Sequence, residues 1–387
     1  MSPLFRSLKV LALVGLVAVT AFPTLAQDVR FEPLGVVCGP AVMPRPCALD
    51  MSGDGEAILF ANNTLWTATG GLQRIGGPPG TEMVAISDDG STVIGNVPVA
   101  GDDGRIHKEA AIWLGGDRWK TLGGLPGARP CGRTLTSAYD VSGDGRVVVG
   151  LAYLDCRNAH AFSWSEETGM VDLGTIVEGR ASRANAISAD AFTIVGWSDA
   201  GDGSRLGARW EGGVGPEWFA GPGAPVFVGE AQGVSSDGRY VVGGGFADKS
   251  NPCSYHEAWF WSKETGVVSL GTPKGVCGDL VDGQAAARDV SDDGRVVVGY
   301  DYLFRLGEAW AFIWTAEDGM AMLQDWVRAR TDEATAARIC RGERSQLASC
   351  DEWDFLNSVA VSNDGKVIVG TGRNPDGMLE AFRIVVP

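Results

Sequence analysis

Ala138-Tyr-Asp-Val141-Ser142-Gly-Asp-Gly145-Arg-Val-Val-Val149-Gly150 decides how this chain folds. Two short apolar runs flank an Asp-Gly pair too closely for anything but a hairpin. Gly takes the positive φ of such a turn without steric penalty. The phrase returns as Ser52-Gly-Asp54-Gly55, Ser87-Asp-Asp89-Gly90, Ser235-Ser-Asp237-Gly238, Ser291-Asp-Asp293-Gly294 and Ser362-Asn-Asp364-Gly365. A degenerate copy is Ser188-Ala-Asp190-Ala191, and the steps between copies are 35, 55, 46, 47, 56 and 71 residues. Recurrence at such a period marks supersecondary units that stack or arrange radially.

Each unit continues in the same way. After Gly150 comes a longer loop, then Ala161-Phe-Ser-Trp164, a tight turn at Glu167-Thr-Gly169, and Met170-Val-Asp-Leu173-Gly174. Ala258-Trp-Phe-Trp261 and Ala311-Phe-Ile-Trp314 repeat that third strand, with Trp at one blade-core position. Two hairpins make four strands per unit, the pattern of propeller blades. Glu380-Ala-Phe382-Arg-Ile384 is a third strand with no fourth after it, and Phe31-Glu-Pro-Leu34-Gly35 is a fourth strand with no third before it. Pairing them completes one blade from both ends and removes free sheet edges. The expectation is an all-β, seven-bladed β-propeller closed by N- and C-terminal strands, one domain over 27–387. An insertion at about 323–356 carries a helix-like stretch from Trp326 to Ile339 and the Cys340/Cys350 loop.

The first residues have a different logic. Arg6 and Lys9 precede an apolar run from Val10 to Phe22, and Thr24-Leu25-Ala26 precedes Gln27. A basic start, a short apolar centre and small residues at the cut read as a signal peptide over 1–26. The run is too short to span a bilayer, so the expectation is a secreted or periplasmic protein with no membrane insertion after cleavage. The net charge of −16 repels phosphate backbones and argues against nucleic acid. Eight cysteines in an exported chain read as disulfides. The repeat suggests neighbour pairs: Cys38–Cys47, Cys131–Cys156, Cys253–Cys277 and Cys340–Cys350.

The phrase Ala-x-x-(Val/Ile)-Ser-x-Asp-Gly-x-x-Val-Val-Gly followed by Ala-Phe-x-Trp resembles the HAF-repeat family of exported bacterial proteins, and His160-Ala161-Phe162 carries the three letters themselves. The run from Trp353 to Phe382, with Asn374-Pro375-x-Gly377 and Glu380-Ala381, is similar to the way those chains end. The resemblance covers nearly the whole mature chain. It implies an extracellular or periplasmic β-propeller-like protein and brings no catalytic residues with it. No C-terminal sorting helix or barrel is visible, which points to release after export.

The tight turns all fall on one rim and the long connections, with every cysteine, on the other. Function is expected on the variable rim. There, Tyr153-x-Asp155, Trp197-x-Asp199 and Phe246-x-Asp248 place a ring two residues before a carboxylate, and Tyr300-Asp301-Tyr302 is a variant. Rings that stack on sugar faces beside carboxylates that accept hydroxyl hydrogens make a carbohydrate-binding edge. The alternative is that the rings pack between blades and the Asp residues turn loops. Asp50-x-Ser52-x-Asp54, Asp140-x-Ser142-x-Asp144 and Asp289-x-Ser291-x-Asp293 mimic half a calcium loop. The bidentate Glu is missing, since Ala61, Leu151 and Tyr300 stand in its place. Asp-Gly hairpin chemistry explains them better than calcium, and no other cofactor or metal set is visible. The expected function is a non-catalytic scaffold that binds an extracellular protein or glycan. The alternative is a polysaccharide hydrolase or lyase using Asp155, Asp199, Asp248 and Asp301.

Overall fold

The structure is a computed structural model, and it describes residues 29–40, 46–101, 104–129, 132–251, 256–273, 283–303, 308–341 and 350–387. The signal-peptide reading of residues 1–26 and three of the cysteines, Cys131, Cys253 and Cys277, lie outside them. Among the described residues the strands form five four-stranded sheets and one nine-stranded sheet, all paired antiparallel. The first complete sheet, Ala48–Met51, Ala57–Phe60, Thr64–Thr67 and Gly71–Arg74, is a meander with each strand hairpinned to the next. The nine-stranded sheet is held together by one residue pair, Gly244 with Ala286. Gly243-Gly244-Gly245 makes that close approach possible: a Cβ on Gly244 would come within 3.0 Å of Ala286, and Gly245 sits at φ 81°.

The innermost strand of each unit leads into the Ser-x-Asp-Gly turn. These strands are Ala48–Met51, Glu82–Ile86, Thr136–Val141, Ser182–Ile187, Ala231–Val234, Gly283–Val290 and Asp354–Val361. Each lies against the next, and Asp354–Val361 lies against Ala48–Met51, so they close a ring around an axis. At the turns, the buried Ser142 hydroxyl donates to Asp144 Oδ1 (2.9 Å) and accepts from the Val147 N–H (3.0 Å). Asp144 Oδ1 also accepts from the Arg146 N–H. The other copies repeat this set, which satisfies the backbone donors of a tight turn.

The peptide groups next to the residue between Ser and Asp have a separate task. Gly53 N–H donates to Asp88 O, Asp89 N–H to Gly143 O, Gly143 N–H to Ala189 O and Ala189 N–H to Ser236 O. Ser236 N–H then donates to Asp292 Oδ1, Asp292 N–H to Asn363 O, and Asn363 N–H back to Gly53 O. This belt joins all the turns around the axis.

Closure uses both ends of the described chain. Arg30–Pro40 pairs antiparallel with Met378–Val385, in register Phe31 to Ile384 and Pro33 to Phe382. Phe31 is buried against Trp353, Phe355 and Phe382, at ring distances of 5.2, 5.1 and 6.2 Å. Cys38–Cys47 is a disulfide that ties this closing strand to the start of the next inner strand. Cys340–Cys350 is a second disulfide, and Cys156 is disulfide-bonded. The insertion departs from the continuous helical stretch read from Trp326 to Ile339. Two short helices, Leu323–Arg328 and Glu333–Ala337, stand in its place. Asp332 breaks the run because its carboxylate accepts from the Thr335 N–H and starts the second helix afresh.

Candidate functional site

Every inner strand carries a register shift at one equivalent position. The extra residue is Leu49, Val84, Tyr139, Asn185, Gln232, Arg288 or Val359, three places before the repeat Ser in each unit. A bulge re-aims a side chain. All seven of these residues line an axial cavity of about 390 Å³. The ring they form is divided, with Val359, Leu49 and Val84 making an apolar arc and Tyr139, Asn185, Gln232 and Arg288 a polar one.

Next to the bulge, three carboxylates brace the ring. Asp140 accepts from its own Val141 N–H (2.7 Å) and from Ile187 N–H of the next unit (2.8 Å). Asp289 does the same with Val290 and Val361, both at 2.8 Å, and Asp50 accepts from Ile86 at 2.8 Å. Equivalent positions in the other units hold Ala85, Ala186, Gly233 and Ala360. Burial pushes Asp50 and Asp289 up to about 7, against the lowering pull of those N–H groups, and burial also raises Asp140 well above the usual carboxylate range. These are the half-calcium-loop aspartates of the sequence. Their oxygens are taken by backbone donors, and among the described residues no three His, Cys, Asp or Glu side chains come together to hold a metal ion.

Toward the long connections, the polar arc extends into a hydrogen-bonded chain. Arg183 donates to Glu230 Oε2 (2.8 Å), Asn185 Oδ1 (2.6 Å) and Tyr139 Oη (3.3 Å). Arg205 reaches the other Glu230 oxygen at 3.2 Å, and Gln232 Nε2 donates to Glu230 Oε2 at 3.2 Å. Arg288 donates to Gln232 Oε1 at 2.8 Å. Both Arg183 and Arg205 lie over the Trp197 ring, 5.4 and 4.5 Å from its centre, an arrangement in which a ring face attracts the cations.

A second cavity of about 640 Å³ opens here and shares Pro46, Gln232, Arg288 and Val359 with the axial one. Gln284 and Ala286 pair in register with Tyr302 and Tyr300, so one face of two adjacent strands lines it. Gly244 and Gly245 form another part of the wall, and Arg205, His256 and Asn357 complete its polar lining. Burial pushes His256 below its ordinary range, toward the neutral form.

No family model and no curated protein matches the sequence. Solved structures do match. The β-propeller domain of the Trilobed protease from Pyrococcus furiosus, whose topology is described as an open velcro, superposes with a TM-score of 0.50 at 13% identity, over 87% of this chain and 95% of that one. Oligogalacturonate lyase from Vibrio parahaemolyticus gives a TM-score of 0.50 at 12% identity, over 93% and 97%. The scaffold is a β-propeller.

The propeller scatters the nine residues that the sequence singled out. Tyr300 and Tyr302 line the mouth cavity. Trp197 is 3% exposed and Phe246 6%, so both rings are packed inside. Tyr153 is half-buried at the end of its strand. The exposed Asp155 accepts from the Arg157 and Asn158 N–H groups, which hold it below the ordinary carboxylate range. Asp248 accepts from the Ser250 hydroxyl and N–H, with the same effect. Burial raises Asp199, with Arg205 opposing, and Asp301 is buried.

What the motif search missed is the polar arc itself. Arg183, Glu230, Gln232 and Arg288 belong to none of the motifs that the sequence singled out. One signal could have found half of it: the residue three before each repeat Ser, which runs Leu, Val, Tyr, Asn, Gln, Arg, Val along the chain.

Proposed function

We propose that this chain is an exported, seven-bladed β-propeller of the HAF-repeat kind, forming one domain, that acts as a non-catalytic scaffold and binds a glycan or protein at its long-connection mouth. The blade count rests on the seven inner strands that close the ring, with the nine-stranded sheet taken as two blades bridged at Gly244. Export is supported by the disulfides and by the signal-like start of the sequence. The single observation that carries the binding reading is the mouth cavity: a concave site of ligand size, lined by two tyrosines and convergent polar groups, and continuous with the axial cavity.

The hydrolase reading needs two carboxyl groups about 5–10 Å apart across a substrate. Among the described residues the mouth cavity presents one, Glu230, clamped between Arg183 and Arg205. Binding is therefore a stronger reading than hydrolysis, and a lyase acting on polysaccharide stays as the alternative.

A glycan array and a secretome pull-down with the mature chain, repeated with Tyr302→Ala and Gln284→Ala, test it. Capture of a ligand that both variants lose while keeping native circular dichroism supports the mouth as the site. Capture unchanged in both variants refutes it.

A further inference from the structure

We propose that the mouth cavity binds an acidic sugar of the uronate class, with Arg288 taking the carboxylate. This rests on the binding reading above and sharpens it to a ligand chemistry.

Three arginines lie along the polar arc, and they are not equivalent. Arg183 and Arg205 share the two oxygens of Glu230, and Arg205 also acts on the Asp199 carboxyl, so both already have acidic partners within the protein. Arg288 is half-buried at the junction of the two cavities, and its hydrogen bond goes to the neutral Gln232 amide oxygen. Among the described residues no carboxylate comes within ion-pair distance of it. A guanidinium presents five donors in a fixed fork, a geometry that matches the two oxygens of a carboxylate. Arg288 keeps part of its surface in the cavity, its nearest charge influence is the buried Asp289 carboxyl, and an incoming carboxylate would give its remaining donors a full ion pair.

The rest of the cavity says what carries the anion. Tyr302 and Tyr300 offer ring faces and hydroxyls, and Gln284 and Asn357 offer amides, groups that suit a hydroxyl-bearing ring rather than a bare ion. The cavity has about 640 Å³, the size of a small-molecule site, which favours a sugar and leaves the acidic peptide as the competing ligand to be tested. The net charge of −16 turns away extended polyanions and leaves a local cation in a recess to capture a small one. A uronic acid meets all three conditions.

Calorimetry on the mature chain with D-galacturonate and D-glucuronate provides the test, with D-galactose, D-glucose, acetate and an acidic Asp/Glu peptide as controls. The expected result is a uronate bound at least tenfold more tightly than its neutral counterpart and than acetate or the peptide. Arg288→Gln should weaken that binding about 10- to 100-fold, the scale of one charge-assisted contact. Arg288→Lys should recover part of it, and both variants should keep the native unfolding midpoint. Equal binding of the neutral sugars, acetate or the peptide, no binding of either uronate, or an Arg288→Gln variant that binds as well as the native chain each overturns the proposal. A neutral sugar whose binding is lost in Tyr302→Ala would overturn this inference and leave the mouth as the site. Ligands from the array that ignore both Tyr302→Ala and Gln284→Ala would overturn both.

Discussion

Replacing Asp289 by Asn isolates one of the three carboxylates that brace the propeller ring. In the folded protein this carboxyl accepts two N–H groups at 2.8 Å, from Val290 and from Val361 of the neighbouring unit, and it is pushed up to about 7. The unfolded value is the ordinary one, near 3.8. The folded state thus binds the proton more tightly. Its stability is greatest below about pH 4 and falls as pH rises toward and through 7. A displacement of about 3 units at about 1.4 kcal/mol each makes the span about 4 kcal/mol. Asparagine removes this titration, but its NH₂ group must face one of the two donors, at a cost of about 1–3 kcal/mol. Urea unfolding at pH 5, 6, 7 and 8 should therefore show Asp289→Asn less stable than the native chain at pH 5, with the gap closing or reversing by pH 8. A gap that stays constant across this range would refute the claim that Asp289 titrates there.

Three further outcomes follow from the same geometry. Ala191 occupies the turn position that Gly holds elsewhere and sits at φ 59°, so Ala191→Gly should raise stability by about 0.5–1 kcal/mol, read as a higher urea midpoint. Trp197→Ala removes the buried ring beneath Arg183 and Arg205; it should cost about 3–5 kcal/mol in unfolding experiments and weaken any ligand bound at the mouth, whereas Trp197→Phe should cost less. Replacing Cys38 and Cys47 together by Ser opens a loop of sequence separation 9 and should lower stability by about 3 kcal/mol, with limited proteolysis cutting first at the released strand Arg30–Pro40.

The repeat was legible because hairpin chemistry is local. Ser142, Asp144 and Gly145 satisfy one another within four residues, so the turn announces itself wherever the phrase stands. Closure was legible for a similar reason, since an unmatched third strand and an unmatched fourth strand, Phe382 and Phe31 among them, need each other. The buried aspartates were visible but misleading as residues. Asp50, Asp140 and Asp289 alternate with Ser and Asp like metal ligands, and only the fold shows that each one staples two neighbouring units. The mouth was the least legible part. Arg183, Glu230 and Arg288 come from three different units; Arg288 alone sits at a marked place, three before its repeat Ser, and their meeting depends on the ring closing. Ring-then-carboxylate spacing on the rim picks out Tyr300 and Tyr302, which line the mouth cavity, and equally Trp197 and Phe246, whose rings a strand's alternation turns inward.

A crystal structure of the protein soaked with D-galacturonate tests the central claim most directly. The account predicts a sugar in the mouth cavity, its carboxylate on the Arg288 guanidinium and its ring beside Tyr302. A sugar seated on the opposite, Ser-x-Asp-Gly face, with the mouth cavity holding only solvent, would contradict it.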